Sequence, residues 1–201
     1  MIITIDGNIG SGKSTLLKNL QTHGYSIHIE PVSDWEPFLV DMYKNNKDAF
    51  EFQVKVWSDR CFTPYYPKDK ITCVERSPYY QWHVFSIANY MNGKLNDRQM
   101  EVLTGLYKRP CYLPDLSIYL RTDPAKCMER IHYRHRECEN EINYDYIYQL
   151  HDLHEITYTG LTHNKVVVEI EDKTPMEICQ EVNELISKYK RQHMDIHEER
   201  F

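Results

Sequence analysis

The 201-residue sequence has no tract rich in glycine, serine and proline, no internal repeat and no long apolar run. The first absence argues against flexible linkers between domains, and the last against a helix that crosses a bilayer. A hydrophobic content of 41% is enough to build a core, so we expect one domain over residues 1–201. A strand that begins at Met1 leaves no room for a targeting segment, and we expect a soluble cytoplasmic protein.

Excess positive charge and paired cysteines are lacking as well. Acidic residues outnumber Lys and Arg by 30 to 24, and the net charge of -6 disfavours a surface that coats nucleic acid. The cysteines at positions 61, 73, 111, 127, 138 and 179 form no CxxC pair. We therefore expect them to be small buried side chains rather than disulfides or zinc ligands.

The most informative stretch lies near the start, between the apolar segment Met1–Asp6 and a helical pattern that contains Leu16 and Leu17. It reads Gly7-Asn8-Ile9-Gly10-Ser11-Gly12-Lys13-Ser14. Strand, GxxxxGK(S/T) loop and helix in this order are typical of a phosphate-binding loop. Backbone N–H groups would converge on a phosphate, Lys13 would add positive charge, and the Ser14 hydroxyl would bind Mg²⁺. The pattern predicts nucleoside triphosphate binding; the alternative is a chance glycine-rich turn.

Short runs rich in β-branched and aromatic residues alternate with helical patterns along the chain. Such alternation predicts a five-stranded parallel sheet with helices on both faces, an α/β fold of the P-loop NTPase type. Ligands of these folds bind at the carboxyl ends of the strands. The predicted strands are Met1–Asp6, Tyr25–Glu30, Ile71–Glu75, Leu116–Arg121 and Lys165–Ile170.

Carboxylates end two of these predicted strands. Glu30 ends the second, and Glu75 ends the third, with Arg76 directly after it. A carboxylate near a substrate hydroxyl can act as a general base, and a second one near the phosphate loop can help to hold Mg²⁺. We predict that Glu30 is the base and that Ser14 and Glu75 hold the metal. The alternative for Glu30 is a carboxylate that caps the following turn.

The helical pattern over Ala49–Cys61 has two faces that could be used. Phe50, Val54, Trp57 and Cys61 form an expected core stripe, whereas Gln53, Val56 and Arg60 share another face. An amide and a guanidinium that point the same way could contact the edge of a base. The alternative is that this second face is solvated.

Two further apolar helices are predicted, over about Tyr79–Met91 and about Asp97–Tyr107. In the first, Gln81, Phe85 and Ala88 share a face, and Asn92-Gly93 is a stop signal. These helices could pair with a second subunit or be buried within the monomer.

An N-cap followed by proline, Asp123-Pro124, begins a helix that we expect to carry three arginines. Arg130, Arg134 and Arg136 lie beside a polar stretch and predict a lid, at about 130–142, that closes on phosphates. The alternative is an ordinary charged helix paired with nearby glutamates. The last helix begins with a capping box, Thr174–Glu177, and we expect residues 192–201 to fray.

Taken together, these motifs resemble the deoxynucleoside kinases, the group of deoxycytidine, deoxyguanosine and mitochondrial thymidine kinases with insect and viral relatives. The resemblance covers nearly the whole chain. It depends on an ordered set of motifs: the GNIGSGKS loop, Glu30-Pro31-Val32 with Trp35, Met42-Tyr43, Phe52-Gln53, Glu75-Arg76-Ser77, Arg130 to Arg136, and Glu139.

The resemblance implies a role for each matched position. Glu30 would accept the proton of the substrate 5′-hydroxyl, and Arg76 would position that hydroxyl and the phosphates. Gln53 would pair with the base, with Phe85, Phe52 or Trp35 packed against it, while Tyr43 and Glu139 would hold the sugar 3′-hydroxyl. ATP would lie on the phosphate loop with Thr15, and its adenine beside Glu171-Asp172. The family also implies Mg²⁺ and a homodimer.

One departure from the family concerns specificity. Arg60 matches the deoxycytidine and deoxyguanosine kinases, but Gln81 replaces the aspartate that partners this arginine there. We therefore expect a loosely held arginine and activity on several deoxynucleosides, pyrimidines included.

Two other functions share the phosphate loop. A nucleoside monophosphate kinase such as thymidylate kinase would need a second phosphate site and usually has Asp-Arg where this chain has Glu75-Arg76. A regulatory nucleotide switch is disfavoured because no DxxG motif occurs in the sequence.

Overall fold

The computed structural model describes residues 1–61, 66, 70–108 and 112–198, with side chains omitted for residues 61 and 193–198. The predictions for Cys61, for Cys111 and for residues 199–201 lie outside this description. Within it, five parallel strands form one sheet in the order β2-β3-β1-β4-β5. The strands are β1 (Ile2–Gly7), β2 (Ser26–His28), β3 (Thr72–Glu75), β4 (Leu116–Arg121) and β5 (Lys165–Glu169).

The predicted parallel sheet is confirmed, with shifts at its strand ends. β2 ends at His28, so Glu30 lies in the connection after the strand rather than within it. β1 is central and pairs with β3 on one side and β4 on the other. Its carboxyl end therefore lies between those of β3 and β4, and the loop that follows it occupies the middle of the sheet edge.

Helices cover both faces of the sheet. On one face α1 and α9 pack on the strands through residues such as Leu17, Leu20 and Val182. On the other, two clusters are centred on Tyr80 and on Trp35. The helices are α1 (Lys13–Thr22), α2 (Val32–Tyr43), α3 (Ala49–Cys61), α4 (Pro78–Tyr80), α5 (Ile87–Met91), α6 (Asp97–Tyr107), α7 (Pro124–Arg134), α8 (Tyr144–Gly160) and α9 (Pro175–Glu198).

The predicted helix over about Tyr79–Met91 contains an irregular middle. Gln81–Ser86 is π-helical and joins α4 to α5. Ser77 caps α4, since its Oγ accepts a hydrogen bond from the N–H of Tyr80 at 3.2 Å. The predicted stop is confirmed, because Gly93 follows α5 in the left-handed conformation. π-Helical turns are frequent at functional sites, and this one borders the cleft described below.

The predicted core stripe of α3 was wrong in detail. In α3, Phe52 and Val56 are buried, whereas Phe50 and Val54 of the expected core stripe are only half-buried. α3 packs on α2 and also on α6, so its buried face is wider than one stripe. α9 begins at the predicted capping box of Thr174 and Glu177 and is helical to Glu198, and the fraying expected from residue 192 stays a prediction.

The described cysteine side chains agree with the prediction of small buried groups. Cys73, Cys127, Cys138 and Cys179 are all buried. Burial raises the pKa of the Cys127 thiol to about 11, which keeps it protonated at neutral pH.

Candidate active site

The phosphate loop connects β1 to α1 and depends on glycine at its bend. Gly10 has φ +82°, and a Cβ atom at this position would lie 2.5 Å from the carbonyl oxygen of Cys127. Neither the conformation nor the space admits a side chain. The loop therefore lies directly against α7, the helix that begins the predicted lid.

Lys13 is buried at the start of α1, under the loop. Its Nζ donates a hydrogen bond to the carbonyl oxygen of Asn8 at 2.8 Å. Burial and the positive charge of Arg76 lower the pKa of Lys13 to about 8, although Glu75 and Glu30 oppose this shift. Phosphate would restore the full charge of this amine, since a nearby anion favours the protonated form.

Ser14 and Glu75 form the candidate metal site at the mouth of the loop. The Ser14 hydroxyl donates to Oε1 of Glu75 at 2.8 Å, and Oε2 of Glu75 accepts from the backbone N–H of Glu30 at 3.2 Å. Two oxygen ligands from the protein are enough for Mg²⁺, because this ion usually keeps several bound waters and takes its other ligands from substrate phosphates. No group of three or more His, Cys, Asp or Glu side chains that could hold a metal occurs within the described ranges.

Glu30, Arg76 and Arg60 form a buried charged cluster beside this site. Nε of Arg76 donates to Oε1 of Glu30 at 2.9 Å, and Nη1 of Arg60 lies 3.8 Å from the same oxygen. Burial alone would raise the pKa of the Glu30 carboxyl, but the nearby positive charges, above all that of Arg76, hold it below its usual range. Glu30 is therefore ionised at neutral pH and able to accept a proton. Among the described residues its carboxylate bonds Arg76 and accepts no backbone N–H, which disfavours the alternative of a turn cap.

One cleft of about 260 Å³ is lined by Lys13, Ser14, Glu30, Glu75 and Arg76. Its walls contain polar groups at the loop end and aromatic rings farther in, as expected for a site that binds a phosphate and a flat base. The predicted site residues among its lining are Ile9, Gly10, Gly12, Lys13, Ser14, Thr15, Glu30, Trp35, Tyr43, Phe52, Glu75, Arg76, Gln81, Phe85, Arg134, Arg136 and Glu139.

The aromatic end of the cleft is rigidly packed. Trp35 packs edge-on against Phe52, with ring centroids 5.9 Å apart, and its Nε1 donates to Asp59 at 2.7 Å. Phe85 lies under the guanidinium of Arg76, 4.1 Å from its ring centre. These contacts hold the rings in place before a ligand binds, which lowers the cost of ordering them on binding.

The arginines predicted for the lid separate into two groups. Nε and Nη2 of Arg134 each donate to a different oxygen of Glu139 at 2.6 Å, and Nη1 of Arg136 lies 3.4 Å from Oε1 of the same carboxylate. Arg136 is not on α7 as expected, because the helix ends at Arg134 and His135 turns the chain with φ +48°. Arg130 instead donates to the carbonyl oxygen of Gly10 at 3.4 Å.

The sequence model of the deoxynucleoside kinase family matches residues 3–194. The chain belongs to the deoxynucleoside kinase family. The fold and the expected resemblance are thereby confirmed, and the protein is a nucleotide-binding kinase.

Relatives and solved structures agree with this assignment. The kinase is 32% identical over 157 residues to putative kinase protein 029R of Invertebrate iridescent virus 3, which covers 77% of this chain and 80% of that protein. It is 32% identical over 163 residues to the probable deoxycytidine kinase FPV151 of fowlpox virus, covering 76% and 69%. A structure of M. mycoides deoxyadenosine kinase with dCMP and dCDP matches with a TM-score of 0.81 at 26% identity, covering 93% and 100%.

Gln53 of the kinase lies behind the cleft wall rather than in it. Its Oε1 accepts hydrogen bonds from Nε2 of Gln81 at 3.1 Å and from the Ser86 hydroxyl at 2.9 Å. Its Nε2 is buried and has no hydrogen-bond partner within the described residues. The alternative of a solvated helix face is therefore wrong at Gln53, which is 1% exposed. Gln81 is the amide that borders the cleft.

The expectation that Arg60 is loosely held was wrong. Nη2 of Arg60 donates to the backbone carbonyl oxygens of Glu75 and of Arg76, the latter at 2.6 Å. These acceptors, together with Glu30, take the place of the aspartate that Gln81 replaces. Arg60 is thus anchored to the turn after β3 and does not line the cleft.

The segment predicted to contact adenine lies on the far side of the phosphate loop. Glu171 and Asp172 follow β5 and line a cavity with Asp123 and Arg130. An adjoining cavity is lined by Gly12, Arg130 and other residues, among them Ser11 and Thr15. The kinase therefore has openings on both sides of the loop, and Arg130 borders the second side.

The sequence analysis missed two polar residues in or next to the site. Lys18 lines the cleft one turn after Ser14 on α1, and this spacing could have indicated it. Asp6 is buried and its Oδ1 accepts a hydrogen bond from the backbone N–H of Ser77 at 2.7 Å. No pattern in the sequence indicated that contact.

Proposed function

We propose that this kinase transfers the γ-phosphoryl group of ATP to the 5′-hydroxyl of a 2′-deoxynucleoside. The observation that carries the proposal is the chain of contacts from the loop to the inner cleft. Ser14 bonds Glu75, Glu75 bonds the backbone of Glu30, and Glu30 bonds Arg76. A phosphate on the loop and a hydroxyl at Glu30 would therefore be neighbours.

In the proposed reaction the 5′-oxygen forms a bond to the γ-phosphorus, and the bond from that phosphorus to the β–γ bridging oxygen breaks. ADP leaves, and Glu30 accepts the hydroxyl proton. Because its pKa is lowered, Glu30 is a weak base, which suits a loose transition state in which the proton leaves late. Arg76 positions the hydroxyl and, with Lys13, neutralises charge on the phosphates.

Mg²⁺ would be held by Ser14 and Glu75 and would neutralise phosphate charge when bound. We assign closure over the donor phosphates to the lid at about 130–142, with Arg130 on the second side of the loop and Arg134 and Arg136 on the cleft side. Adenine would lie beside Glu171 and Asp172, in the cavity that these residues line.

Sugar recognition is assigned to Tyr43 and Glu139, which both line the cleft. Glu139 is already bonded to Arg134, so its carboxylate is oriented before substrate arrives. The base would lie between Phe85 and the Trp35–Phe52 pair, with its edge toward Gln81 and Gln53. An uncharged amide pair at this edge supports a broad specificity that includes pyrimidines.

A homodimer is also proposed. Met91 on α5 and Ile156 on α8 are apolar residues with 63% and 67% of their surface exposed. Asn92, next to α5, exchanges two hydrogen bonds with Gln149 of α8, which holds the two helices together as one surface. Light scattering measures the oligomeric state. We expect a dimer for the wild type and a monomer for the double variant Met91→Asp and Ile156→Asp. A monomeric wild type would contradict the proposal.

A substrate panel tests the proposed reaction. Purified kinase with ATP and Mg²⁺ is given thymidine, deoxycytidine, deoxyadenosine, deoxyguanosine, the ribonucleosides and thymidine monophosphate. We expect turnover of more than one deoxynucleoside, weaker turnover of ribonucleosides and none of the monophosphate. Phosphorylation of the monophosphate alone would instead support a nucleoside monophosphate kinase.

In the described ranges no helix is both long and apolar enough to span a membrane. Action in the cytoplasm stays a prediction.

A further inference from the structure

Asp6 is a fully buried carboxylic acid for which the proposed reaction has no direct use. It lies near the end of β1, immediately before Gly7. Its Oδ1 accepts a hydrogen bond from the backbone N–H of Ser77 at 2.7 Å. Its Oδ2 has no hydrogen-bond partner in the part of the chain that the structure describes. A buried acid in the central strand needs a compensating role, because burying a polar group is unfavourable.

The contact lies next to the most unusual backbone conformation of the site. Arg76 has φ +60°, which is uncommon for a residue with a side chain. Its own N–H donates to the carbonyl oxygen of Ile5 at 2.8 Å, and the next N–H, that of Ser77, donates to Asp6. Two successive bonds to β1 thus hold the chain on both sides of the strained residue.

The direction of the Arg76 side chain depends on this turn. From it the guanidinium reaches Glu30 through Nε and the carbonyl oxygen of Gly7 through Nη1 at 3.3 Å, and it covers the ring of Phe85. Relaxing Arg76 to a negative φ would swing the side chain away from these three partners. Ser77 would then have an unpaired buried N–H unless the chain moved further.

We propose that Asp6 is a positioning residue for the phosphoryl transfer, which holds the turn at Ser77 so that Arg76 is aimed at Glu30 and the phosphate loop. This inference rests on the role proposed for Arg76. The hydrogen bond that Asp6 accepts from Ser77 holds the turn. This bond does not require a negative charge, since a neutral carboxylic acid and an amide each have an oxygen that can accept it.

The burial of Asp6 agrees with a role that needs no charge. Burial raises the pKa of this carboxyl, and the hydrogen bonds from Ser77 and Thr4 and the charge of Arg76 only partly oppose the shift. Asp6→Asn therefore preserves what the turn needs, whereas Asp6→Leu removes the acceptor at similar size. Thr72→Val is the matched control, because Thr72 is a fully buried polar residue at the start of β3, at the opposite end of that strand from the turn at Arg76.

The experiment measures kcat and KM for thymidine, or for the best substrate of the panel, in these three variants. We expect Asp6→Leu to lower kcat by about 10- to 100-fold with a smaller change in KM, the scale of a misplaced catalytic group. We expect Asp6→Asn and Thr72→Val to stay within about threefold of wild type. Normal turnover in Asp6→Leu, or an equal loss in Asp6→Asn, would overturn the inference.

A double-mutant cycle separates positioning from general damage. If Asp6 acts through Arg76, Asp6→Leu should lower kcat less than about threefold further in an Arg76→Ala background, whereas a full additional loss would contradict the inference. Asp6→Ser, which adds no bulk, is carried through the same cycle so that the test does not depend on the leucine variant folding. Near-normal turnover of Arg76→Ala alone would refute the proposed role of Arg76 itself, whereas an inactive Arg76→Ala with a normal Asp6→Leu would refute only the inference.

Discussion

Replacing Glu30 with glutamine removes one negative charge from the cleft and keeps the shape of the side chain. Oε1 of Glu30 accepts from Nε of Arg76 at 2.9 Å, and a glutamine oxygen can keep this bond. A glutamine cannot take up the proton of a substrate hydroxyl. We expect kcat to fall by about 10²- to 10⁴-fold, which corresponds to ~2.7–5.5 kcal/mol of lost transition-state stabilisation.

The same change also affects folding, and its size follows from the buried cluster. The side chains of Glu30 and Arg76 are 10% and 5% exposed, so the pair is largely shielded from water. Removing one partner of a buried pair costs about 3–5 kcal/mol. The bond that glutamine retains reduces the expected loss to about 1–3 kcal/mol, within the stability of a typical domain.

Three measurements together test the base. Steady-state assays give kcat, calorimetry gives the dissociation constants of ATP and nucleoside, and thermal unfolding gives the stability. We expect both dissociation constants to stay within a few-fold of wild type while kcat falls. Glu51→Gln is the matched control, since Glu51 is an exposed carboxylate on α3 away from the cleft and should leave kcat unchanged. A Glu30→Gln enzyme with near-normal kcat would refute the assignment.

Three other predictions concern the phosphate loop, the lid and the base. Since the pKa of Lys13 is lowered to about 8, this amine is charged below that pH and neutral above it, so kcat/KM for ATP should fall tenfold per unit as pH rises beyond about 8. Arg130→Ala should lower kcat more than nucleoside affinity, whereas Arg134→Ala should weaken both, because Arg134 also orients Glu139. Gln81→Asp should change the ranking of deoxynucleosides by kcat/KM. The introduced carboxylate cannot donate a hydrogen bond to Oε1 of Gln53, so the Gln53 amide should rotate and present its Nε2 instead.

Each of these predictions has a contradicting result. A kcat/KM profile for ATP that stays flat from pH 7 to 9.5 would show that Lys13 is not the titrating group. Arg98→Ala controls for the lid, since Arg98 is an exposed arginine on α6, outside the cleft and the cavity proposed for adenine; equal effects there would favour the ordinary charged helix. An unchanged substrate ranking in Gln81→Asp would separate this amide from base recognition, with Gln81→Met as the neutral control.

Local signals predicted the elements that local interactions define. α6 has the predicted bounds, and its N-cap Asn96 forms a capping box with Gln99. β4 also has its predicted bounds, because both faces of this strand are buried and its sequence is rich in aliphatic and aromatic residues. The phosphate loop was predictable for a similar reason, since its glycines, lysine and serine are adjacent in sequence.

Sequence patterns did not predict side-chain contacts to the backbone or the bounds of irregular helices. Bounds for α2 were not predicted, since Pro37 lies inside it, and α8 carries aromatic and histidine residues with no clear stripe. The anchoring of Arg60 depends on carbonyl groups, which every residue has and no pattern marks. The π-helical segment Gln81–Ser86 has a different rotation per residue from an α-helix. A 3.6-residue period therefore could not predict that Gln81 lines the cleft while Gln53 lies behind it.

The central claim, transfer of phosphate to the 5′-hydroxyl, is tested most directly by identifying the product. Mass spectrometry and ³¹P NMR follow the wild-type kinase with ATP, Mg²⁺ and thymidine or deoxycytidine, beside the matching 5′-deoxy analogue. The account predicts ADP and the nucleoside 5′-monophosphate in equal amounts, and no transfer to the analogue that lacks the 5′-hydroxyl. Phosphate on the 3′-oxygen, or transfer to the 5′-deoxy analogue, would contradict it.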